Sequence, residues 1–351
     1  MKRMFLFAAM ACVALASCTK NEQVNFPQED AITFSAPVVG LNTKAVEIGT
    51  TYPDEGPNFG VFAHYFDDDY TAFATGKLYM NDVEVKYENA TTPWVPVANY
   101  YWPKNGTLTF AAYSPYGTTG VSYGATGFKF ENYTVADAAT QADLLYSERT
   151  YNQEKPTDPS SFEGVDLKFN HALASVVFTA KTDNAAYATD GFKFTLNAIT
   201  VQKVAATGTF EQGLTDDDGE VTPAVTATEN KCWTVTGSAD QSYVAYTGGS
   251  LSLDTSVQTV PFTTDHNTHL ILLPQELTAA ELVVNYTITN TNTSVALEQT
   301  STLPLTTATV SEWLRGKRYT YNITFGLEKI FFDEPSVTAW DPEINEPTVA
   351  Y

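Results

Sequence analysis

The sequence predicts an all-β protein built from two β-sandwich domains in tandem. Phe, Tyr and Trp make up 13% of its 351 residues and Thr is frequent, and aromatic and β-branched residues favour strands over helices. Short alternating or apolar segments recur along the chain between turn residues, as in sandwiches. The length is typical of about two domains. Residues 146–164 contain two prolines and no hydrophobic periodicity, which predicts a division near residue 160.

The first eighteen residues predict an export signal that ends in a lipidation site. Lys2 and Arg3 form a positive n-region, an uncharged apolar stretch follows over residues 4–15, and small residues precede Cys18. This arrangement is typical of a secretory signal peptide, and its final cysteine resembles a bacterial lipobox. We therefore expect residues 1–17 to be removed and Cys18 to carry acyl chains that anchor the protein to a membrane. A plain signal peptide with an incidental cysteine is the alternative.

The first sandwich is expected over residues 31–160, after a polar, flexible leader at residues 18–30. Its predicted strands are residues 32–34, 60–65, 79–87, 107–113 and 127–130. The pair Asn105-Gly106 signals a tight reversal before the fourth of these strands. Helical evidence is confined to residues 135–146, which predict one short helix at a sheet edge.

The second sandwich is expected over residues 161–351. Its predicted strands are residues 165–169, 171–180, 192–204, 233–235, 269–273, 282–288, 318–325 and 329–332. The chain then ends in a short polar stretch with Pro342 and Pro347. Because proline cannot donate a hydrogen bond to a neighbouring strand, we expect this end to pair only at a sheet edge.

Composition and motifs exclude several function classes. The formal net charge of −22 argues against nucleic acid, since phosphate binding needs clustered Lys and Arg. Cys232 is the only cysteine expected in the mature chain besides the lipidated one, so no intrachain disulfide can form and a large packed core must hold the protein together. The four histidines are scattered without ligand spacing, and no nucleophile or phosphate-loop motif occurs. We expect no catalytic, metal or cofactor site.

The densest aromatic cluster comprises Trp94, Tyr100, Tyr101 and Trp102. Its rings have two interpretations. They stack on sugar rings at the surface of a glycan-binding protein, or they fill the first sandwich. The second interpretation is favoured.

Several short sequence motifs occur in an order that resembles the fimbrillin family of Bacteroidales, the Mfa-like and FimA-like pilins of type V pili. The motifs are residues 32–34 with 43–45, 101–103 with 108–115, 143–146, 165–174, 272–275 and 313–321. The resemblance implies transthyretin-like Greek-key sandwiches and a lipid-anchored protein of the cell outer membrane. It also implies partners, namely other pilin subunits in a homopolymer or heteropolymer and a host or bacterial surface ligand.

In polymerising members of this family, an extracellular protease removes the first strand and a strand from the next subunit fills the groove. An edge that loses its strand exposes unpaired backbone groups, which an incoming strand satisfies. By this resemblance Ile32 and Phe34, two residues apart and so on one face, belong to the displaced strand. The family's best-known protease cuts after arginine, and no arginine lies between Arg3 and Arg149. Lys44 is therefore the candidate processing site, unless another enzyme acts or no cut occurs.

The C-terminal stretch is the expected donor. Ile330 and Phe332 share one face of a strand, and Val337 and Ala339 follow in the same pattern. We interpret the chain as a non-enzymatic structural subunit of a pilus, acting as stalk, tip or anchor. A surface glycan-binding lipoprotein is the alternative interpretation, and a secreted hydrolase is the third.

Overall fold

A computed structural model describes residues 30–43, 46–53, 56–89, 94–158, 161–214, 232–248, 250–262 and 269–340. Within these residues the all-β prediction is confirmed, since helix amounts to α1 (Ala186–Thr189) and short 3-10 turns such as Phe73–Thr75. The strands are β1 (Val38–Thr43), β2 (Val46–Thr51), β3 (Phe59–Phe66), β4 (Lys77–Tyr87), β5 (Trp94–Pro96), β6 (Thr107–Ser114), β7 (Val121–Gly124), β8 (Gly127–Thr134), β9 (Leu145–Ser147), β10 (Thr150–Gln153), β11 (Lys168–His171), β12 (Ala174–Thr182), β13 (Phe192–Val204), β14 (Thr207–Glu211), β15 (Trp233–Val235), β16 (Gln241–Tyr246), β17 (Leu251–Leu253), β18 (Gln258–Thr259), β19 (Leu270–Leu272), β20 (Glu281–Asn290), β21 (Val295–Pro304), β22 (Lys317–Phe325) and β23 (Ile330–Ala339).

The largest sheet has the order β2-β1-β11-β9-β6-β3-β4-β5, with β10 also paired to β6. Its central strand β6 is buried along its whole length because both of its faces are covered. Leu108, Phe110 and Ala112 point into one hydrophobic cluster, which we call the first core. Ala111 and Tyr113 point into a larger one, the second core. Because successive side chains of a strand point to opposite faces, β6 contributes to both cores.

Two five-stranded sheets form a sandwich in the C-terminal half. One has the order β18-β12-β22-β23 with β19 on β12, and the other has the order β16-β13-β20-β21 with β17 on β13. Tyr286 of β20 meets Phe325 of β22 edge to face, with ring centroids 5.2 Å apart. β20 and β22 therefore face each other across the second core.

Strand pairing crosses the division expected near residue 160. β11, which follows residue 160, pairs with β9 of the first half. A four-stranded sheet, β15-β14-β8-β7, also combines strands from both halves of the chain. The Trp233 indole donates to the carbonyl of Ala172 at 2.6 Å and lies in the second core. Residues 31–160 and 161–351 remain the predicted domains, and the structure adds that their strands interleave.

The predicted helix at residues 135–146 is wrong. This stretch contains only a turn at residues 138–140 and the start of β9. Leu145 belongs to the first core while Leu144 and Tyr146 belong to the second. Successive side chains that point to opposite sides require an extended backbone, so tertiary burial overrides the local helical spacing.

Arg149 joins three segments of the first half through a buried guanidinium group. It donates to the hydroxyls of Tyr123 and Tyr70, each at 2.7 Å. It also donates to the carbonyls of Gly124 and Ala125 at 2.9 and 2.7 Å. These acceptors lie on the β7–β8 hairpin and on the loop that follows β3, and both stretches depend on one cation for their position.

Replacing Arg149 with alanine should lower the free energy of unfolding by about 3 kcal/mol, because the buried Tyr70 hydroxyl and three less buried acceptors lose a charged donor. Urea denaturation of the purified chain measures the change. Lys77→Ala is the control, since its ion pair with Asp67 is exposed on both sides and such pairs contribute little. Equal midpoints for the two variants would show that the Arg149 contacts do not stabilise the fold.

Candidate functional site

The candidate site is the stretch that leads into β1, residues 30–38, which we call the closing segment. It is hydrogen-bonded on both sides. On one side, the amides of Ile32 and Phe34 donate to the carbonyls of Tyr100 and Trp94 at 2.8 and 2.9 Å. The Trp102 amide donates back to the carbonyl of Asp30 at 2.9 Å. The pairing with this side is antiparallel.

On its other side the closing segment runs parallel to residues 165–169. The Ser35 and Val38 amides donate to the carbonyls of Val165 and Leu167 at 3.2 and 3.0 Å, and the Val165 amide donates to the carbonyl of Thr33 at 2.9 Å. The segment thus behaves as a strand inserted between two others.

This insertion closes the largest sheet on itself. The sheet path ends at β5 on one side, and Phe34 bridges Trp94 of β5 to Val165, just before β11. β11 is already linked to β5 through β9, β6, β3 and β4. The strands therefore form a closed ring in which residues 30–38 are one member. Closure removes the free edges that an open sheet would expose.

The two side chains predicted for the displaced strand point into the first core. Ile32 and Phe34 are 1% and 0% exposed. The Phe34 ring meets the rings of Phe59 and Phe110 edge to face, with centroids 5.9 and 5.6 Å apart. The alternate residue Ser35 faces outward, where its hydroxyl donates to the Asp166 carboxylate at 2.6 Å. Burial of two large apolar side chains contributes roughly 1.5–3 kcal/mol each to the segment's retention.

Gly164 permits the close contact between the closing segment and its parallel neighbour. Its φ of +116° lies in a region that favours glycine. A Cβ at this position would lie 2.3 Å from both the Phe34 carbonyl carbon and the Ser35 nitrogen. Both atoms belong to backbone that is itself hydrogen-bonded, so neither can yield easily.

The aromatic cluster belongs to the wall of this site. Trp94 and Trp102 are buried in the first core and Tyr100 packs against it, which confirms the core interpretation for both tryptophans. Their indole faces are not available to stack on a sugar. The hydroxyl of Tyr79 donates a hydrogen bond to the carbonyl of Tyr101. This bond fixes the loop that lines the place of the closing segment, which we call the slot.

The predicted donor residues lie in β23, which pairs antiparallel with β22. Ile330 is buried, Phe332 packs against the second core, and Val337 is 45% exposed. Ala339 pairs with Lys317 at the end of the strand. In this conformation all four belong to the chain's own sheet. Their role as donor stays a prediction, as do the roles of Cys18 and Lys44, which lie outside the described residues.

Trp340 fastens the end of β23 to β11, which pairs with β9 of the first half. Its amide donates to the carbonyl of Gly316 at 2.9 Å, and its ring stacks on His171 of β11 with centroids 4.0 Å apart. The edge of the ring meets His269 at 5.3 Å. His171, which is buried, contacts the Asp143 carboxylate through Nδ1 at 2.6 Å. We call this group the C-terminal clasp.

Burial lowers the pKa of His269 to about 3, and the nearby charges of Arg318 and His171 act in the same direction. The imidazole is therefore neutral in the folded protein at neutral pH. In the unfolded chain its pKa is near 6.5. Protonation thus opposes the packing of His269 against Trp340.

The described residues contain no group of three or more His, Cys, Asp or Glu that could hold a metal ion. None of their helices has the length and apolar character needed to cross a membrane. Cys232 is buried.

Comparison with known proteins gives a family match and structural matches. Residues 43–340 match a family described as fimbrillin-like. A fimbrial protein from Bacteroides vulgatus has a TM-score of 0.56 and 17% sequence identity, over 89% of this chain and 99% of that chain. A candidate cell adhesion protein from Bacteroides uniformis has a TM-score of 0.48 and 17% identity, over 90% of this chain and 100% of that chain. No curated protein matches the chain.

Replacing Gly164 with alanine should loosen the closing segment. The clash with the backbone of Phe34 and Ser35 should lower the free energy of unfolding by about 2–4 kcal/mol and speed proteolysis of the segment. Gly248→Ala is the matched control, because Gly248 also has a positive φ of +70° but open space around it. It should cost about 1 kcal/mol. Equal losses in the two variants would mean that the contact with the segment is unimportant.

Stability should fall as the pH drops from 6.5 to 4.5. The unfolded chain binds a proton at His269 in this window while the folded chain does not, and one such proton gives a slope of at most about 1.4 kcal/mol per pH unit. His269→Gln should flatten the dependence of the urea midpoint on pH. His64 keeps its own contribution in this variant, because burial also lowers its pKa. An unchanged pH profile would contradict the assignment to His269.

Proposed function

The chain belongs to the fimbrillin-like family, and on this premise we propose that it is a non-enzymatic structural subunit of a cell-surface pilus that assembles by strand exchange. The exchange takes place at the closing segment. A single observation carries the proposal: residues 30–38 are hydrogen-bonded on both sides like an inserted strand. By sequence they follow Cys18, the predicted lipidation site.

Loss of the closing segment would open the ring between β5 and Val165. The carbonyls of Trp94, Tyr100, Val165 and Leu167 would lose their donors, and the Trp102 amide would lose its acceptor. The places of Ile32 and Phe34 would become an apolar trough. An incoming strand with alternate apolar side chains satisfies both the backbone groups and the trough, which supports replacement of the segment by another subunit.

Lys44 is the proposed processing site. It falls between β1 and β2, whose end residues Thr43 and Val46 pair with each other. A cut there would leave the closing segment and β1 attached to the body by non-covalent contacts alone. Arg149, the first arginine after Arg3, is buried among its hydrogen-bond acceptors, which argues against cleavage at that position.

The lipid is proposed to be attached to Cys18 in the outer membrane, twelve residues ahead of the closing segment by sequence. Cleavage at Lys44 therefore separates the body from its lipid once the segment leaves the slot. A cut chain acts as a stalk subunit, and an uncut chain acts as an anchor or a tip protein. Mass spectrometry of the N-terminus in purified pili distinguishes the two cases.

The donor is proposed to come from the C-terminal stretch of another subunit. The pairing of β23 with β22 means that a donor containing Ile330 and Phe332 must first leave its own sheet. Residues 341–351 follow Trp340 directly and contain Val349 and Tyr351, which would share one face of a strand. Their use as the donor would leave the C-terminal clasp intact.

Deletion of residues 341–351 from the full-length chain should stop polymer growth while the subunit still reaches the cell surface folded. Electron microscopy and detergent-resistant ladders on gels measure the polymer, and protease resistance of the surface protein measures folding. A chain with these eleven residues scrambled is the matched control for length. It should also fail, because the alternation that fills the trough is lost.

Normal pili from the deleted chain would place the donor elsewhere. Normal pili from the scrambled chain alone would mean that length, rather than side-chain pattern, is what the slot requires. Either result would overturn the assignment of residues 341–351 to the trough.

A further inference from the structure

The strand β21 is an edge strand with none of the usual protection against pairing. Among the described residues it pairs only with β20, through ten consecutive residue pairs without a bulge. Native proteins protect such edges with lysine, proline, bulges or short strands. Ten-residue β21 has no lysine, and its only proline is the last residue, Pro304.

The other long free edge of the same sandwich shows the contrast. β23 has a register shift against β22, and Pro335 lies in its middle next to the acidic pair Asp333 and Glu334. These features twist the edge and charge it, so they discourage a neighbour. β21 and β23 therefore differ in kind, although both lie at the margin of a sheet.

The inward face of β21 carries Val295, Leu297 and Leu303, and the first two are largely uncovered. Leu297 pairs with Ile288, and Leu303 pairs with Leu282. Cross-strand partners point to the same face, and this face of β20 is buried in the second core. Yet Leu297 is 57% exposed and Val295 is 62% exposed. The sandwich thus leaves part of its own inner face open at this margin.

Charge is also depleted here. Between Glu281 and Glu312 the sequence has a single charged residue, Glu298, in a chain whose net charge is −22. Two copies of such an acidic protein repel each other over most of their surfaces. They approach at the lowest cost where the charge is sparse, which favours this edge for contact between copies.

We propose that β21 pairs antiparallel with β21 of a second copy of this chain, about a two-fold axis through Gln299, and joins the two sheets into one. In this register Val295 meets the partner's Leu303 and Leu297 meets the partner's Ser301, all on the inner face. On the outer face Glu298 meets the partner's Thr300, so the two glutamates are not directly opposed. The surface is self-complementary, as a two-fold interface requires.

This contact is separate from strand exchange at the closing segment. It uses the C-terminal sandwich, needs no cleavage and joins subunits side by side. It therefore links two chains, or two pili, laterally. A strand from an unrelated protein could use the same edge, but it would not show the symmetric register.

Cysteine crosslinking of the full-length chain on cells tests the register. Gln299→Cys should give a disulfide-linked dimer on a non-reducing gel, because each residue 299 lies opposite itself across the axis. Thr302→Cys is the matched control on the same strand, since it lies opposite the partner's Ala296 and should not crosslink alone. Cells that mix Thr302→Cys with Ala296→Cys chains should recover the dimer.

A second pair of variants tests whether the dimer depends on the proposed interface or on non-specific association. Added to Gln299→Cys, Leu297→Lys should reduce the dimer at least roughly tenfold, because it places a charge on the inner face. Val337→Lys is its control on the free edge of β23, where the residue is similarly apolar and 45% exposed, and it should leave the dimer unchanged. Protease resistance of each variant reports its folding.

Equal dimer yields from Gln299→Cys and Thr302→Cys would overturn the proposal, as would full retention of the dimer in a folded Leu297→Lys variant. Detergent-resistant ladders from strand exchange should persist in Leu297→Lys. Absence of such ladders from Gln299→Cys cells that still give the disulfide-linked dimer would contradict the strand-exchange function and leave the lateral contact standing.

Discussion

Closure of the largest sheet by the closing segment is the constraint on which the rest of the structure depends. Between β5 and Val165 the ring is completed by the closing segment, residues 30–38. Because the segment is bonded on both sides and supplies Phe34 to the first core, every strand of the ring packs around it. The same features make the place suitable for another strand of similar pattern, so under the proposed strand exchange stability and assembly would both depend on this place.

The second dependence is the burial of β6 on both faces. Phe110 and Tyr113 belong to different cores, so the ring cannot change shape without disturbing the packing against the four-stranded sheet. That sheet takes β14 and β15 from the second half of the chain, and the C-terminal clasp adds Trp340 to the same junction. The two halves are thus coupled by shared strands rather than by a simple surface contact.

A strand could be predicted from the sequence wherever apolar and polar residues alternate strongly. For example, the strand predicted at residues 192–204 coincides with β13. Ile32 and Phe34 were also predicted to share a buried face. The predicted helix failed because Leu145 and Tyr146 are neighbours buried in different cores, a pattern without a helical or amphipathic period. β21 was not predicted, because its inward face mixes apolar residues with the polar residues Gln299 and Ser301. The sequence therefore shows no clear alternation of apolar and polar residues there. Ring closure and the pairing across residue 160 depend on long-range register, which a single sequence does not encode in any local pattern.

With the lipid at Cys18, as proposed, the order of lipid, closing segment and body would give the protein a mechanical property. Tension on a surface-bound subunit, applied through Cys18, would enter the fold at Asp30, where Lys155 forms an ion pair. It would then run along residues 30–38 in the direction of the strand. Hydrogen bonds on both flanks lie across that direction, so they are loaded in shear and must fail together rather than one at a time. An uncleaved subunit would therefore resist detachment under flow, whereas a subunit cut after Lys44 would resist only as long as the slot stays filled.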